Sequence, residues 1–143
     1  MIEIGRSCVH RDYRTGPAIM LLWAGLAQYM KAHRYGHMVG CASVGLADGG
    51  QQAAFVQDAA QRSLASAEHR VFPLLRFPHE KIERRSHADL PPLLRGYLRL
   101  GARICGEPAW DPQFNSADFL VLLARDRLQP RYARHFDLAA GAA

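Results

Sequence analysis

At 143 residues, with 49% hydrophobic and 22% charged residues, the chain has the length and composition of one soluble globular domain. Its formal charge of +5 and pI near 9.5 call for nucleic acid, anionic lipid, a phosphate-bearing cofactor or an acidic carrier protein, or reflect only a basic solvated surface. No apolar run reaches the ~18 residues of a spanning helix, and three widely spaced cysteines, Cys8, Cys41 and Cys105, argue against a disulfide framework or zinc site and for a reducing cytoplasm.

Residues 2–9 read as a buried strand, with Ile4, Cys8 and Val9 suited to a covered pleat and one carboxylate, Glu3, inside it. A basic turn, HRDYRTG, carries Arg11, Arg14 and Gly16 into a helix. Pro17 suits its first position, and Ile19, Leu22, Trp23, Leu26 and Met30 follow at helical spacing. Free N–H groups at that start, around Gly16 and Ala18, together with the two arginines, make a candidate anion site. The competing reading is two solvated surface arginines.

KAHRYG ends the helix with cations and Gly36. Residues 37–44 read as a strand, 51–68 as an alanine-rich helix, and 70–77 as a third strand that Pro73 confines to an edge or a bulge. A polar stretch follows, then a short helix over 90–100 opened by two prolines. A structured aromatic loop covers 103–115, a last strand 119–123, and a basic ending 128–136. The expectation is a single α/β domain over 1–137, with a twisted mixed sheet of about four strands and flanking helices, and a disordered tail over 138–143. Seven scattered histidines show no ligand spacing, so a metal or Cys8–His10 site is not expected.

The segments EIGRSCVHRDYR, GCASV and PPLLRGYLRLGARICGEPAWDPQFNSADFLVLL resemble the Gcn5-related N-acetyltransferase (GNAT) superfamily, and within it the branch of ornithine-lipid and N-acyl amino acid synthases. Arg14 matches the family's phosphate-binding turn, whereas Pro17 and Ile19 stand where its glycines belong. The resemblance implies transfer of a long acyl group from acyl carrier protein, or from acyl-CoA, to the amine of an amino acid. The acyl thioester is then a substrate, with no bound cofactor or metal.

Under the same resemblance Glu3 accepts the amine proton, while Arg6, Arg11 and Arg14 hold the donor's arm and phosphate. Glu3 and Arg6 also match the ExxR element of acyl-homoserine-lactone synthases, which on a strand needs a bulge between them. Ser43 and Tyr97 are candidates to protonate the departing thiolate. Trp23, Ser43, Glu107, Trp110 and Asp118 are candidates for the acyl and acceptor pocket. The plainer alternatives are an ion-paired strand carboxylate for Glu3, an interfacial ring for Tyr97, and a Pro-rich turn organised by Asn115 or Ser116.

The resembling proteins have further strands before the one that opens this chain, so the carboxy-terminal part of the fold is expected here, with an exposed sheet edge that invites self-association. A half-domain subunit that completes its sheet with another chain is the alternative function. The basic residues are dispersed and join no recognised nucleic-acid motif, so nucleic acid is not an expected partner. The expected place is the cytoplasm, with at most peripheral contact at the inner membrane face.

Overall fold

Two nine-residue strands carry the fold. β2 (His37–Gly45) and β5 (Ser116–Ala124) pair antiparallel along their whole length, His37 opposite Ala124 and Gly45 opposite Ser116. Alternation puts Met38, Ala42 and Val44 of β2 on one face with Ala117, Phe119, Val121 and Leu123 of β5, all buried. The computed structural model describes residues 1–5, 8–14, 16–83 and 89–128. The expected tail at 138–143 lies outside them, as does the basic ending beyond residue 128.

β1 (Ile2–Glu3) runs parallel to β2, Ile2 beside Met38 and Glu3 beside Val39, and the Ile4 N–H extends the pairing by donating to the Val39 carbonyl at 2.8 Å. On the far side of β5, β3 (Arg103–Ile104) and β4 (Ala109–Asp111) pair with it in succession. The result is a five-stranded mixed sheet of order β1-β2-β5-β3, with β4 also beside β5. Between β3 and β4, residues 105–108 bulge out opposite residues 119–120. Gly106 is needed there, at φ 156°, because a Cβ would lie 2.4 Å from the Val71 carbonyl oxygen.

Three helices cover the apolar face. Met30 of α1 (Gly16–Ala32), Ala53, Val56 and Ala60 of α2 (Gln51–Ala60) and Leu94 of α3 (Pro92–Leu100) join Phe77 and the sheet in one core. Asp48 caps α2, its carboxylate accepting from the N–H groups of Gly50 at 2.9 Å and Gln52 at 2.8 Å. α3 opens on a proline and closes on Gly101 at φ 108°. At the end of α1 the left-handed residue is Arg34, φ 57°, not a glycine. The Tyr35 N–H reaches back to the Met30 carbonyl at 2.9 Å and the Arg34 N–H to that of Lys31 at 3.2 Å.

The sequence-based boundaries needed four corrections. The opening strand is shorter than 2–9, and Cys8 is exposed outside any strand. The second helix ends at Ala60, continues as a 3-10 turn (Gln61–Ser63) and becomes extended at Leu64. Residues 70–77 form no strand: they border the sheet through a single bridge, Arg76 to Ala109, and scattered backbone bonds. The loop expected over 103–115 contains β3 and β4.

Candidate active site

Among the described residues the opposite face of the sheet is only partly covered, by a small cluster of Ala65, Cys105 and Leu122 with Val39 and Leu120. Residues 37, 39, 41 and 43 of β2 point to this face, since their neighbours in sequence point into the core. The register brings Glu3 onto it beside Val39 and sets Asp118 opposite Ser43. Cys41 lies between them, a diagonal neighbour of both carboxylates at about 8 Å by ordinary strand rise and spacing. Desolvation against the sheet pushes the Cys41 thiol up, and the negative charges of Asp118 and Glu3 add to the effect. It is therefore a weak nucleophile at neutral pH. The Ser116 hydroxyl donates to Asp118 Oδ1 at 2.9 Å and fixes that carboxylate.

Glu3 itself is exposed on the short edge strand. It also borders a groove of about 430 Å³ between β1 and α1, whose walls are mostly Ile2, Leu26, Tyr29 and Tyr35. In the other direction along β2 the same sheet face leads to a smaller, better enclosed cavity of about 150 Å³. His37 and His69 line it, their rings 5.3 Å apart. The Ser66 hydroxyl ties the segment beneath together, donating to Glu68 Oε1 at 3.0 Å with His69 Nδ1 also at 3.0 Å.

The remaining candidates are dispersed. Arg6 lies outside the described residues. Arg11 and Arg14 are exposed around a 3-10 turn (Arg11–Tyr13) just before α1. Arg11 Nε lies 3.5 Å from the Asp12 carboxylate, and Arg14 Nε donates to the Val9 carbonyl at 2.9 Å. Gly16 is the first residue of α1, and Ala18, half-buried, is in its first turn. Trp23 and Tyr97 belong to the helical layer, edge to face at 5.4 Å, where burial pushes the Tyr97 phenol up. Glu107 sits on the far side of the sheet in a fork with Arg76, at 2.6 and 2.9 Å, and Arg76 also binds Glu80 at 3.0 Å. Trp110 is 41% exposed, opposite Ala117. Asn115, at φ 48°, and Asp111, whose Oδ1 accepts the N–H groups of Gln113 and Phe114, shape the turn into β5.

Sequence reasoning missed Cys41 as a member of the carboxylate face and missed the cavity at His37 altogether. The alternation of 37, 39, 41 and 43 against Met38, Ala42 and Val44 was a readable signal for the face. The strand register that adds Glu3 and Asp118 was not. Among the described residues no group of three or more His, Cys, Asp or Glu is placed to hold a metal ion. No helix among them is long and apolar enough to cross a membrane.

Comparison with known proteins gives a consistent picture. Residues 1–24 match the acetyltransferase (GNAT) domain family. The chain is 34% identical to the L-ornithine N(alpha)-acyltransferase of Agrobacterium fabrum, across 94% of this chain and 49% of that protein. It is 32% identical to the enzyme of the same name from Brucella abortus, across 98% of this chain and 53% of that one. The Rhizobium meliloti enzyme is 33% identical across 98% of the chain and 50% of its own length. No solved structure gives a significant match. The chain is thus similar along nearly its whole length to proteins named L-ornithine N(alpha)-acyltransferase, and over residues 1–24 to the acetyltransferase (GNAT) domain family; it spans about half the length of the curated relatives it matches.

Proposed function

We propose that the chain serves N-acyl transfer: a long acyl group passes from a phosphopantetheine thioester, on acyl carrier protein in preference to coenzyme A, to the α-amine of an amino acid. Ornithine is the first acceptor to test. The observation that carries this reading is the likeness, along nearly the whole chain, to enzymes named L-ornithine N(alpha)-acyltransferase. In the step itself the neutral amine attacks the thioester carbon. The C–N bond forms, the C–S bond breaks, a carboxylate takes the amine proton, and the departing thiolate picks up a proton.

Glu3 is the carboxylate we assign as base. Its place beside an apolar groove supports this, since an acyl chain lying along Ile2, Leu26 and Tyr29 would present its thioester near the edge strand. Arg11 and Arg14, with the N–H groups of Gly16 and Ala18 at the start of α1, would hold the donor's phosphate, and Arg6 joins them by likeness. Asp118 and Ser43 share the face of Glu3 and belong to the same site, whereas Trp23 and Tyr97 act by packing the layer behind it.

The test is an acyl-transfer assay on the purified chain with palmitoyl–acyl carrier protein and a mixture of amino acids, following free thiol and product mass. Acylated ornithine is the expected product. A folded chain that releases no thiol with any acceptor overturns the reading for the isolated chain.

One observation favours a second reading, a partner-dependent unit that completes its sheet with further polypeptide. Among the described residues β1 pairs with β2 alone, and Leu21 and Leu22 of α1 are 72% and 54% exposed. Light scattering after size exclusion separates the two: a fully active monomer excludes obligate assembly.

A further inference from the structure

We propose that the cavity at the His37 end of the sheet face opposite the three described helices is the binding site for the amino acid acceptor, and that it selects a basic, diamino acid. The inference rests on the acyl-transfer reading for its place in a reaction, and on three observations for itself.

The first is charge. The walls bring two guanidinium groups, Arg103 and Arg127, together with two carboxylates, Glu68 and Asp126, around the ring pair of His37 and His69. An apolar ligand has no use for such a lining, and a phosphate would meet two carboxylates. A zwitterion with a second ammonium group uses this lining: its α-carboxylate takes an arginine fork, and its side-chain ammonium faces Glu68 or Asp126.

The second is size. At about 150 Å³ the cavity has the scale of a single small polar metabolite and is far below the ~300–1,000 Å³ typical of sites for larger ligands.

The third is position. Glu3 pairs with Val39, and His37 is two residues back on the same face of β2. This puts the Cα atoms of Glu3 and His37 about 8 Å apart, one strand spacing across and two residues along. A ligand whose α-amine lies at the His37 wall of the cavity is therefore on the strand next to the one that carries the carboxylate assigned as base, while the acyl groove borders Glu3 itself.

The test is direct binding of ornithine to the whole chain, read from the imidazole proton signals of His37 and His69 by NMR. It is repeated with Arg103→Gln and with Glu68→Gln, the latter on a carboxylate 75% exposed, whose loss does not threaten folding. Ornithine is expected to shift both imidazoles. Each substitution is expected to weaken binding about tenfold or more, the loss of one charge-assisted hydrogen bond, and alanine is expected to bind far more weakly than ornithine. A folded chain whose histidine signals ignore ornithine, or variants that bind it as well as the parent, overturn the proposal. Acylated ornithine from a chain with unchanged KM in both variants would sink this site and leave the acyl-transfer reading standing. Ornithine binding here without acyl transfer would do the reverse.

Discussion

Ser43 and Asp118 are cross-strand partners on the sheet face opposite the three described helices, and Cys41, two residues back along β2, lies diagonal to Asp118. The thiol and the carboxylate are thereby coupled. Desolvation is the larger cause of the raised Cys41 pKa, and the Asp118 charge the next. Removing that charge in Asp118→Asn favours the thiolate and moves the pKa down, though it stays above the ordinary thiol value because the desolvation remains. The expected result is faster alkylation of Cys41 at pH 8, with the pH profile displaced to lower pH. Peptide-resolved mass spectrometry separates Cys41 from Cys8, which is exposed like it, and from buried Cys105. An unchanged Cys41 profile would show that the two groups do not sense each other.

Gly40 makes the docking of β1 possible. A Cβ there would lie 2.6 Å from the Ile4 carbonyl oxygen, a backbone atom that cannot rotate away. Gly40→Ala must therefore push the edge strand off β2, at a cost of about 1–3 kcal/mol. Urea unfolding should show a lower midpoint. Since Glu3 rides on the displaced strand, acyl transfer should fall by more than the loss of folded protein accounts for.

The parts of the fold that were legible in the sequence are those whose signal is local. The strand composition of 37–44, the apolar run over 119–123 and the apolar spacing of α1 name their elements without help from the rest of the chain, although β5 begins three residues earlier, at Ser116. β3 and β4 are two and three residues long and are parted by a bulge with Gly106 and Pro108, too short to show a period. Residues 70–77 have strand composition, yet Pro73 interrupts them and Leu74 stands fully in solvent. The candidate site depends on register. Nothing in the spacing of Glu3, Cys41 and Asp118 announces that β2 separates the two carboxylates by one strand on either side, nor that Glu107 would find Arg76 across 31 residues.

The end of α1 offers a test of backbone strain. The expected stop at Gly36 is not where the chain turns left-handed; Arg34 takes that conformation instead. An L-residue there carries a penalty of about 1–2 kcal/mol, part of which a glycine forfeits through the entropy of the unfolded chain. Arg34→Gly is expected to stabilise the protein by about 0.5 kcal/mol, seen as a higher urea midpoint at constant slope. Gly36→Ala, at a position without positive φ and with open space around its Cβ, should be close to neutral. The opposite pattern would mean that the helix ends at Gly36.

The most consequential substitution is Glu3→Gln. The side chain is exposed on a two-residue edge strand, so the amide should leave the unfolding midpoint within error of the parent. On the proposal that Glu3 takes the amine proton, the substitution should lower turnover about 10²–10⁴-fold, the ordinary span for a positioned carboxylate. The loss should appear in kcat, with KM for the acyl donor little changed. Asp118→Asn is the control: it removes the other carboxylate next to Cys41 but lies two strands away from Glu3, and should cost far less. Equal losses in the two variants would argue for a general effect of negative charge on this face. A large loss in Asp118→Asn alone would move the base from the edge strand to the centre of the sheet.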